Sequence, residues 1–409
     1  MQNSSMGVPP KIATRPQARV LIRKMIYFYG PILRLDVAES LSLTNPTITT
    51  NVNAMIAAGV LREIDDASQE GRVGRKASLV DIVPQSKYFI GLEVRQSVRR
   101  VCLTDYRGNI VYTDADEQPI PDYDANIASA CRLVRKLLGH PPVPAEKIRG
   151  LGVAIPGVID WESGVLLEHR QYRWFNRNVR EDVRSGVGFS GPVAIGNDAN
   201  ARALGAQLFR REIMNGATTL AYLFIARGIS CPFIMRDAYM SSHTMGIGEL
   251  GYMILDPKAT GDSLGLHGRL SSFAGERALS NKCVQLIERG QAPILADICG
   301  GRKPDISKIL FAQRQGEESV CALIQEALDY IAYGICNVCN FIQPDCLLID
   351  ARITGPEENR SRLLQTIDQN LMIQAKGKPR IIFVEADEFN GARCAAALAI
   401  RHEFNQIAD

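Results

Sequence analysis

The adjacent residues Asn197 and Asp198 have the chemistry of a site that binds hydroxyl groups. Residues 193–196 predict a short buried strand, and the residues from Ala199 onwards predict a helix. The amide and the carboxylate would therefore lie at the carboxyl end of a strand, where α/β folds bind their ligands. Taken alone, the same pair is more typical of an ordinary helix cap. The surrounding sequence has to decide between these two interpretations.

A basic loop at residues 70–76 has the chemistry of a DNA contact. Its sequence is EGRVGRK, and Arg72, Arg75 and Lys76 place three cations within five residues. The glycines let the backbone lie close to a duplex, and the cations suit a minor groove or a row of phosphates. An isolated loop of this kind would more often be a solvated hairpin, so its neighbours matter.

The segments around this loop predict a helix-turn-helix followed by a wing. Apolar residues at helical spacing predict three helices, over residues 19–28, over residues 35–42 and over a segment that starts at Thr44 or Asn45. Strands predicted at residues 60–64 and 78–83 lie on either side of the basic loop. In this context the DNA-binding interpretation of the loop is favoured over the solvated hairpin.

The third predicted helix carries short, uncharged polar side chains beside its apolar face, which consists of Ile48, Val52, Met55 and Ile56. Such side chains can contact base edges and phosphates. We therefore expect residues 17–85 to form a winged helix that binds operator DNA, after a flexible segment of residues 1–16. The expected major-groove contacts are Thr47, Thr50 and Asn51. The expected contacts to phosphates or the minor groove are Arg72, Arg75 and Lys76.

The composition is that of a soluble protein with more than one domain. A chain of 409 residues predicts two or three domains. No apolar run approaches the roughly 20 residues that span a bilayer, and residues 1–16 lack the apolar core of a signal peptide. We therefore expect a cytoplasmic protein that does not contact a membrane. Residues 1–85 hold ten Lys and Arg against seven Asp and Glu, a modest excess that is compatible with DNA binding.

The ten cysteines predict reduced thiols. Cys336 and Cys339 have a C-x-x-C spacing, but residues 330–341 predict a buried helix. Two small apolar residues on one face of that helix are favoured over a redox or metal pair.

From Tyr88 onwards, predicted strands alternate with predicted helices, which indicates an α/β layer architecture. Here the chain resembles the ROK family, which groups bacterial sugar kinases with sugar-responsive repressors such as those for xylose and N-acetylglucosamine. The matching stretches are residues 150–160, 196–204, 246–251 and 337–350. The resemblance covers nearly the whole chain, and the predicted winged helix marks the repressor branch.

The resemblance implies that residues 86–409 form a two-lobed, actin-like ATPase fold of the ribonuclease H-like type, with a sugar in the cleft between the lobes. In the family's kinases, the aspartate matching Asp198 takes the proton from the sugar hydroxyl, and the residue matching Asn197 helps bind the sugar. Glu249 matches a sugar-binding glutamate. Within this frame, we interpret Asn197 and Asp198 as ligand-binding residues and reject the helix cap.

The phosphate-binding segments of the family's kinases are replaced. The Asp-Gly-Gly-Thr loop uses glycines so that backbone N–H groups can approach phosphates, and its equivalent here is Glu93–Ser97. A second glycine-rich segment corresponds to Arg227–Pro232, in which the proline lacks a backbone donor. The chain is therefore expected to bind neither ATP nor another cofactor.

The family's zinc site is replaced as well. Tyr252 stands at the histidine position, and Asp262, Leu264 and Arg269 stand at the three cysteine positions. A closed structural zinc site needs four ligands, so no metal is expected. Ser271 replaces a further sugar-binding glutamate, so Tyr252 and Ser271 change the polarity and volume of the predicted pocket.

Arg170, Tyr172 and Trp174 lie in the loop that reaches the sugar in relatives. They could supply stacking and a counter-charge for an acidic ligand, although Trp174 could equally belong to the core. The predicted effector-binding residues are Asn197, Asp198, Glu249, Tyr252 and Arg170.

Three functional hypotheses follow. The leading one is a transcription regulator without enzymatic activity, a repressor of carbohydrate metabolism that binds a sugar or sugar derivative and acts as a homodimer or homotetramer. The alternatives are a ROK carbohydrate kinase with a DNA-binding extension and a constitutive DNA-binding protein whose second domain only dimerises. The replaced phosphate loops argue against the kinase. The retained Asn197, Asp198 and Glu249 argue against the constitutive protein.

Overall fold

The computed structural model describes residues 15–65, 78–214, 216–235, 248–259, 267–372 and 377–405. The chain divides into two compact units, one formed by Met1–Glu212 together with Phe389–Asp409 and the other by Ile213–Glu388. The basic loop with Arg72, Arg75 and Lys76 lies outside the described residues. Residues 17–85 and the first α/β lobe belong to the same unit, and the domain boundary at residue 85 stays a prediction.

The first unit begins with three helices and a small antiparallel sheet, as predicted. Its elements are α1 (Arg15–Tyr29), β1 (Ile32–Leu33), α2 (Arg34–Leu41), α3 (Asn45–Ala57), β2 (Leu61–Asp65) and β3 (Ser78–Ile82). The strand order is β1-β3-β2. Helix α3 forms because Pro46 suits its first turn and because Ile48, Val52 and Met55 are buried on one face. This arrangement is that of a winged helix-turn-helix.

The first unit continues as an α/β lobe. Its elements are β4 (Tyr88–Val94), β5 (Arg99–Asp105), β6 (Ile110–Asp116), α4 (Tyr123–Gly139), β7 (Ile148–Ile155), β8 (Val158–Asp160), β9 (Val165–His169), β10 (Trp174–Arg177), α5 (Val179–Val187), β11 (Val193–Asn197) and α6 (Asp198–Phe209). The main sheet has the order β11-β7-β4-β5-β6. Strands β4, β7 and β11 are parallel to one another, whereas β5 is antiparallel to both of its neighbours, β4 and β6. Strands β8, β9 and β10 form a separate small sheet.

The second unit contains a second sheet and a helical layer. Its elements are β12 (Thr219–Ile225), β13 (Ile229–Ser230), β14 (Phe233–Met235), α7 (Leu270–Ala274), α8 (Glu276–Glu288), α9 (Pro293–Cys299), α10 (Ile306–Arg314), α11 (Glu318–Ile342), β15 (Cys346–Ala351), α12 (Glu357–Asn370) and β16 (Arg380–Phe383). The sheet order is β13-β12-β15-β16, with β14 also paired to β12. Cys336 and Cys339 lie buried on α11 as free thiols, and burial raises the pKa of the Cys339 thiol to about 12. The core interpretation of this pair is confirmed.

The last helix, α13 (Asn390–Asn405), returns to the first unit. It packs with α6 on one face of the main sheet. The side chains of Ile90 and Leu92 form a core with α4, whereas Gly91, between them on β4, faces α13. Because successive strand residues point to opposite faces, the sheet is covered on both sides. The α/β prediction is confirmed, and the described helices include none that is long and apolar enough to cross a membrane.

Candidate functional site

Four charged side chains meet at the carboxyl end of the main sheet in the first unit. Glu93 is the second-last residue of β4, and Arg95 follows that strand directly. Asp198 begins α6, and Arg202 lies one helical turn further along it. Because β4 and β11 are both parallel to β7, their carboxyl ends lie at the same edge of the sheet.

The four groups form a chain of ion pairs. Arg95 Nη2 lies 3.0 Å from Asp198 Oδ2, and Arg95 Nε lies 3.0 Å from Glu93 Oε1. Arg202 Nη2 lies 2.9 Å from the same Glu93 oxygen. The main chain at Arg95 is held too, because the buried Asn126 donates from Nδ2 to its carbonyl at 3.1 Å. The guanidinium of Arg95 thus bridges two carboxylates in a fixed position.

The charges in this cluster stabilise each other. Burial alone would raise the pKa of Glu93, which is 2% exposed, but the Arg95 and Arg202 guanidinium groups outweigh it and hold that pKa below its ordinary value. Burial would lower the pKa of Arg95, and the Glu93 and Asp198 carboxylates reverse this and raise it. Both side chains are therefore charged at neutral pH, and Arg95 acts as a resident counter-ion.

Asn197 and Asp198 lie where the sequence predicts, but the rejection of a helix cap is wrong for Asn197. Its Oδ1 accepts hydrogen bonds from the backbone N–H groups of Ala199 and Asn200, at 2.9 and 3.1 Å, so it is the N-cap of α6. Its Nδ2 donates to the carbonyl of Gly157 at 2.9 Å. Both ends of the amide are used within the lobe, so Asn197 shapes the site through the start of α6.

The hairpin of β9 and β10 carries the other predicted residues of the first unit. Arg170 is exposed and pairs with Glu168, with its Nε 2.6 Å from Oε1. Trp174 is 3% exposed and belongs to the core, as the alternative interpretation allowed. Tyr172 is also buried and stacks on His169 with ring centroids 3.9 Å apart. Tyr172 and Trp174 therefore pack in the interior of the α/β lobe.

Glu249 and Tyr252 belong to the second unit, and both are exposed. The Arg269 guanidinium lies over the Tyr252 ring, 5.3 Å from its centroid, and Arg269 Nη1 donates to the Tyr252 carbonyl at 3.3 Å. Two of the four positions that match the family's zinc ligands thus form a cation–π pair. Asp262 and Leu264, at the other two, lie outside the described residues.

The second replaced phosphate segment is packed within the second unit. The turn after β12 is closed by a hydrogen bond from Ala226 N to the Gly228 carbonyl, at 2.9 Å. A Cβ atom added at Gly251 would lie 2.0 Å from Ser271 Oγ and 2.6 Å from the Ile229 carbonyl oxygen. The Ser271 hydroxyl is thus packed against the Gly251 backbone.

In the winged helix, the prediction that Asn51 faces the major groove is wrong. Asn51 is 1% exposed, its Nδ2 donates to the Thr47 carbonyl at 2.9 Å, and its Oδ1 lies 3.5 Å from Arg19 Nε. It lies three residues after Ile48, on the apolar face of α3, so helical geometry turns it inward despite its polarity. Thr50 is exposed, whereas Thr47 is half-buried and its hydroxyl lies 2.9 Å from the Thr44 hydroxyl. The DNA contacts of both stay predictions.

Sequence reasoning missed the roles of Arg95 and Arg202. The replaced phosphate loop at Glu93–Ser97 predicts the loss of phosphate binding but does not indicate which groups Arg95 contacts. The spacing of Asp198 and Arg202, four residues apart on one helix, places both on the same face of α6. That spacing was the available signal for the ion-pair chain.

The fold and site define a class of protein: a winged helix-turn-helix joined to an α/β lobe that carries a cluster of ion-paired side chains at the carboxyl end of its main sheet. The ROK family profile matches residues 89–402, which is more than half of the chain, and the chain belongs to the ROK family. It is 24% identical to the xylose repressor of Caldicellulosiruptor bescii over 332 residues, 81% of this chain and 82% of that protein. It is 21% identical to the transcriptional dual regulator NagC of Escherichia coli K12 over 357 residues, 87% of this chain and 84% of that protein.

Two solved structures show the same fold. A ROK family transcriptional regulator, a homologue of the E. coli MLC protein, has a TM-score of 0.77 at 20% identity and covers 95% of this chain and 96% of its own. A ROK family glucokinase from Streptomyces griseus has a TM-score of 0.64 at 18% identity and covers 76% of this chain and 98% of its own. At 95% coverage, the likeness to the regulator includes the winged helix.

Proposed function

We propose that this chain is a sequence-specific DNA-binding transcription regulator, and specifically a repressor of carbohydrate metabolism. The similarity to a xylose repressor and to NagC supports this class. Its partners are operator DNA, bound by α3 and the wing, and a sugar or sugar derivative that acts as effector. We expect it in the cytoplasm as a homodimer or homotetramer, because half-sites on one face of a duplex lie about one helical turn apart.

The structural observation that favours a regulator over a sugar kinase is the ion pair between Arg95 and Asp198. A sugar kinase needs the carboxylate at this position to take a proton from the sugar hydroxyl, so the carboxylate must be available as a base. Here one carboxylate oxygen accepts the backbone N–H of Ala199 at 3.0 Å and the other is paired with a guanidinium. Asp198 is therefore suited to accept hydrogen bonds from ligand hydroxyls, and poorly suited to drive phosphoryl transfer.

The same ion pair limits the kinase alternative in a second way. The guanidinium of Arg95 follows β4 directly, in the segment that matches the phosphate loop of the kinases. Phosphate loops work through backbone N–H groups that glycines leave uncovered. A large cationic side chain fixed by two carboxylates removes that access.

The test is a pair of substitutions in the first unit. Asp198→Asn keeps the shape of the side chain but removes its charge, while Asp124→Asn changes a carboxylate that is 74% exposed and serves as the control. Effector binding is measured by thermal shift over a panel of sugars, sugar acids and sugar phosphates, because a ligand that binds the native state raises its apparent stability. DNA binding is measured on an operator selected from random duplexes.

We expect Asp198→Asn to weaken the effector response about tenfold or more, since a hydrogen bond to a charged group contributes about 1.5–3 kcal/mol. Asp198→Asn should still select the same operator sequence as the wild type, because α3 is unchanged, and Asp124→Asn should behave as the wild type in both assays. An unchanged effector titration in Asp198→Asn would remove Asp198 from the site. If the wild type selected no operator, the regulatory function itself would be wrong. The other predicted ligand contacts, Glu249, Tyr252 and Arg170, can be tested by the same titration.

A further inference from the structure

Helix α13 connects the charged cluster to the winged helix within the first unit. Its N-terminal end lies against Glu93, and its C-terminal end lies against α1. We propose that α13 transmits the state of the Glu93–Arg95–Asp198 cluster to the winged helix, through the contacts that Glu403 and Phe404 make at its far end. This inference rests on the proposed effector site, and it adds the route by which an effector changes DNA binding.

At its N-terminal end, α13 is in direct contact with the cluster. A Cβ atom added at Gly391 would lie 2.1 Å from Glu93 Oε1 and 2.4 Å from Oε2. The carboxylate cannot simply move aside, because Arg95 and Arg202 hold it by ion pairs. The first turn of α13 is thus fitted to one position of the Glu93 carboxylate.

Along its length, α13 packs on a smooth surface. A Cβ atom at Gly91 of β4 would lie 1.9 Å from the Ala392 carbonyl oxygen, and one at Gly152 of β7 would lie 1.9 Å from the Ala395 carbonyl oxygen. The helix therefore touches the backbone of both strands. Glycines present no side chain that would block a small shift along the helix axis, and shifts of about 1–2 Å are typical of packed helices that switch.

At its C-terminal end, α13 is fixed to the winged helix by buried polar and aromatic contacts. The Glu403 carboxylate, 2% exposed, pairs with Arg23 of α1 at 3.5 Å and with Lys87. The Phe404 ring lies 4.8 Å from the ring of Tyr27, which is fully buried. A movement of the last turn of α13 cannot leave α1 in place, because a buried ion pair tolerates little separation.

These contacts define a physical sequence of events. A ligand whose hydroxyl groups bind Asp198 competes with Arg95 for that carboxylate. A change at Arg95 alters the restraint on Glu93, and Gly391 is in contact with Glu93. Phe404 lies thirteen positions after Gly391, so the helix carries the change over about 20 Å. An effector can shift the equilibrium only by the difference in its affinity for the two positions of α13.

The test uses hydrogen–deuterium exchange of the full chain, and it needs neither DNA nor effector. Gly391→Ala disturbs α13 at Glu93, far from α1. The matched control is Gly186→Ala on α5, where an added Cβ atom would lie 2.6 Å from Cys131 Sγ of α4. We expect Gly391→Ala to raise amide exchange in residues 20–29 about fivefold or more. Gly186→Ala should leave that exchange unchanged.

A third variant tests the far end of the helix. Phe404→Ala should itself raise exchange in α1, and adding Gly391→Ala to it should produce little further change, because the connection is already broken. If Gly391→Ala does not fold, Glu93→Gln replaces it, since it alters the same contact without adding bulk. Unchanged exchange in α1, or equal increases in the Gly391→Ala and Gly186→Ala variants, would overturn the proposal. Because no ligand or operator is involved, this result is independent of the proposed function.

Discussion

Arg23 of α1 donates a hydrogen bond from Nη2 to the main-chain carbonyl of Glu403 in α13, at 2.9 Å, and both side chains are buried. The last carbonyl groups of a helix have no partner within the helix, so Arg23 completes the end of α13. It also places a cation at the negative end of the helix dipole. The Arg23 side chain therefore joins the winged helix to the α/β lobe. It also caps α13, the helix that we propose connects the Glu93–Arg95–Asp198 cluster to the winged helix.

We predict that Arg23→Ala lowers the free energy of unfolding of the first unit by about 2 kcal/mol or more, because a hydrogen bond to a charged group and part of a buried ion pair are lost. Lys87 still pairs with Glu403 in this variant. The decrease in the free energy of unfolding is therefore smaller than if the Glu403 charge were left buried without a partner. The measurement is urea unfolding followed by the fluorescence of Trp161 and Trp174, which are both in this unit. Arg62→Ala, at an exposed position on β2, should change stability by less than about 0.5 kcal/mol.

The two phosphate segments lead to a prediction about catalysis. With labelled ATP and a broad panel of sugars, the label should stay on ATP, because Arg95 occupies the segment after β4 and pairs with Asp198. A ROK glucokinase assayed in parallel shows that the panel and conditions support transfer. Sugar-dependent transfer by this chain above a control without enzyme would contradict the prediction.

Much of the fold could be predicted because apolar periodicity is strong in the winged helix and in the strands of the first lobe. Asn51 could not be placed from its polarity, since the phase of α3 turns it inward. The helix-capping role of Asn197 could not be separated from a ligand-binding role, because a residue at the junction of β11 and α6 can serve both. The packing of α13 on the first unit could not be predicted from apolar periodicity. Its buried alanines pack against both α6 and the sheet, so the helix has no single apolar face.

The ion pairs of Glu93 lead to a prediction about pH. Its pKa in the folded chain lies below the ordinary value of 4.5, so the unfolded chain binds more protons at acidic pH. The stabilisation is complete above pH 4.5 and is lost as the pH falls through the folded pKa. Glu93→Gln should therefore be less stable than the wild type at pH 7, and this difference should shrink on acidification. Urea unfolding at several pH values measures it. Glu63→Gln, at an exposed position of β2 where solvent screens its ion pair with Arg34, should change stability much less.

The cation–π pair of Tyr252 and Arg269 leads to a prediction about metal content. Protein purified without added metal should contain far less than one zinc per chain, because a tyrosine and an arginine occupy two ligand positions. Elemental analysis measures the zinc content. In a separate unfolding experiment, Tyr252→Ala should lower the free energy of unfolding by about 0.5–1 kcal/mol, the usual contribution of an exposed cation–π contact. About one zinc per chain, with loss of folding when a chelator removes it, would show that other ligands hold a metal.

The last prediction separates three residues of the winged helix. Thr50→Ala should relax the base preference at one operator position, because Thr50 is exposed on α3 and base contacts carry sequence specificity. Arg75→Ala should weaken binding to all sequences and reduce the salt dependence by about one charge, as the loss of a phosphate contact does.

Asn51→Ala should behave differently from both. It removes the buried hydrogen bond to the Thr47 carbonyl, so stability should fall by about 1–2 kcal/mol while the base preference of the folded protein stays as in the wild type. Binding to operator variants at several salt concentrations, together with thermal melts, measures all three variants, and Thr113→Ala, at an exposed position on β6, is the control. A folded Asn51→Ala variant with altered preference at one base pair would return Asn51 to the DNA interface and show that α3 repacks when it binds its operator.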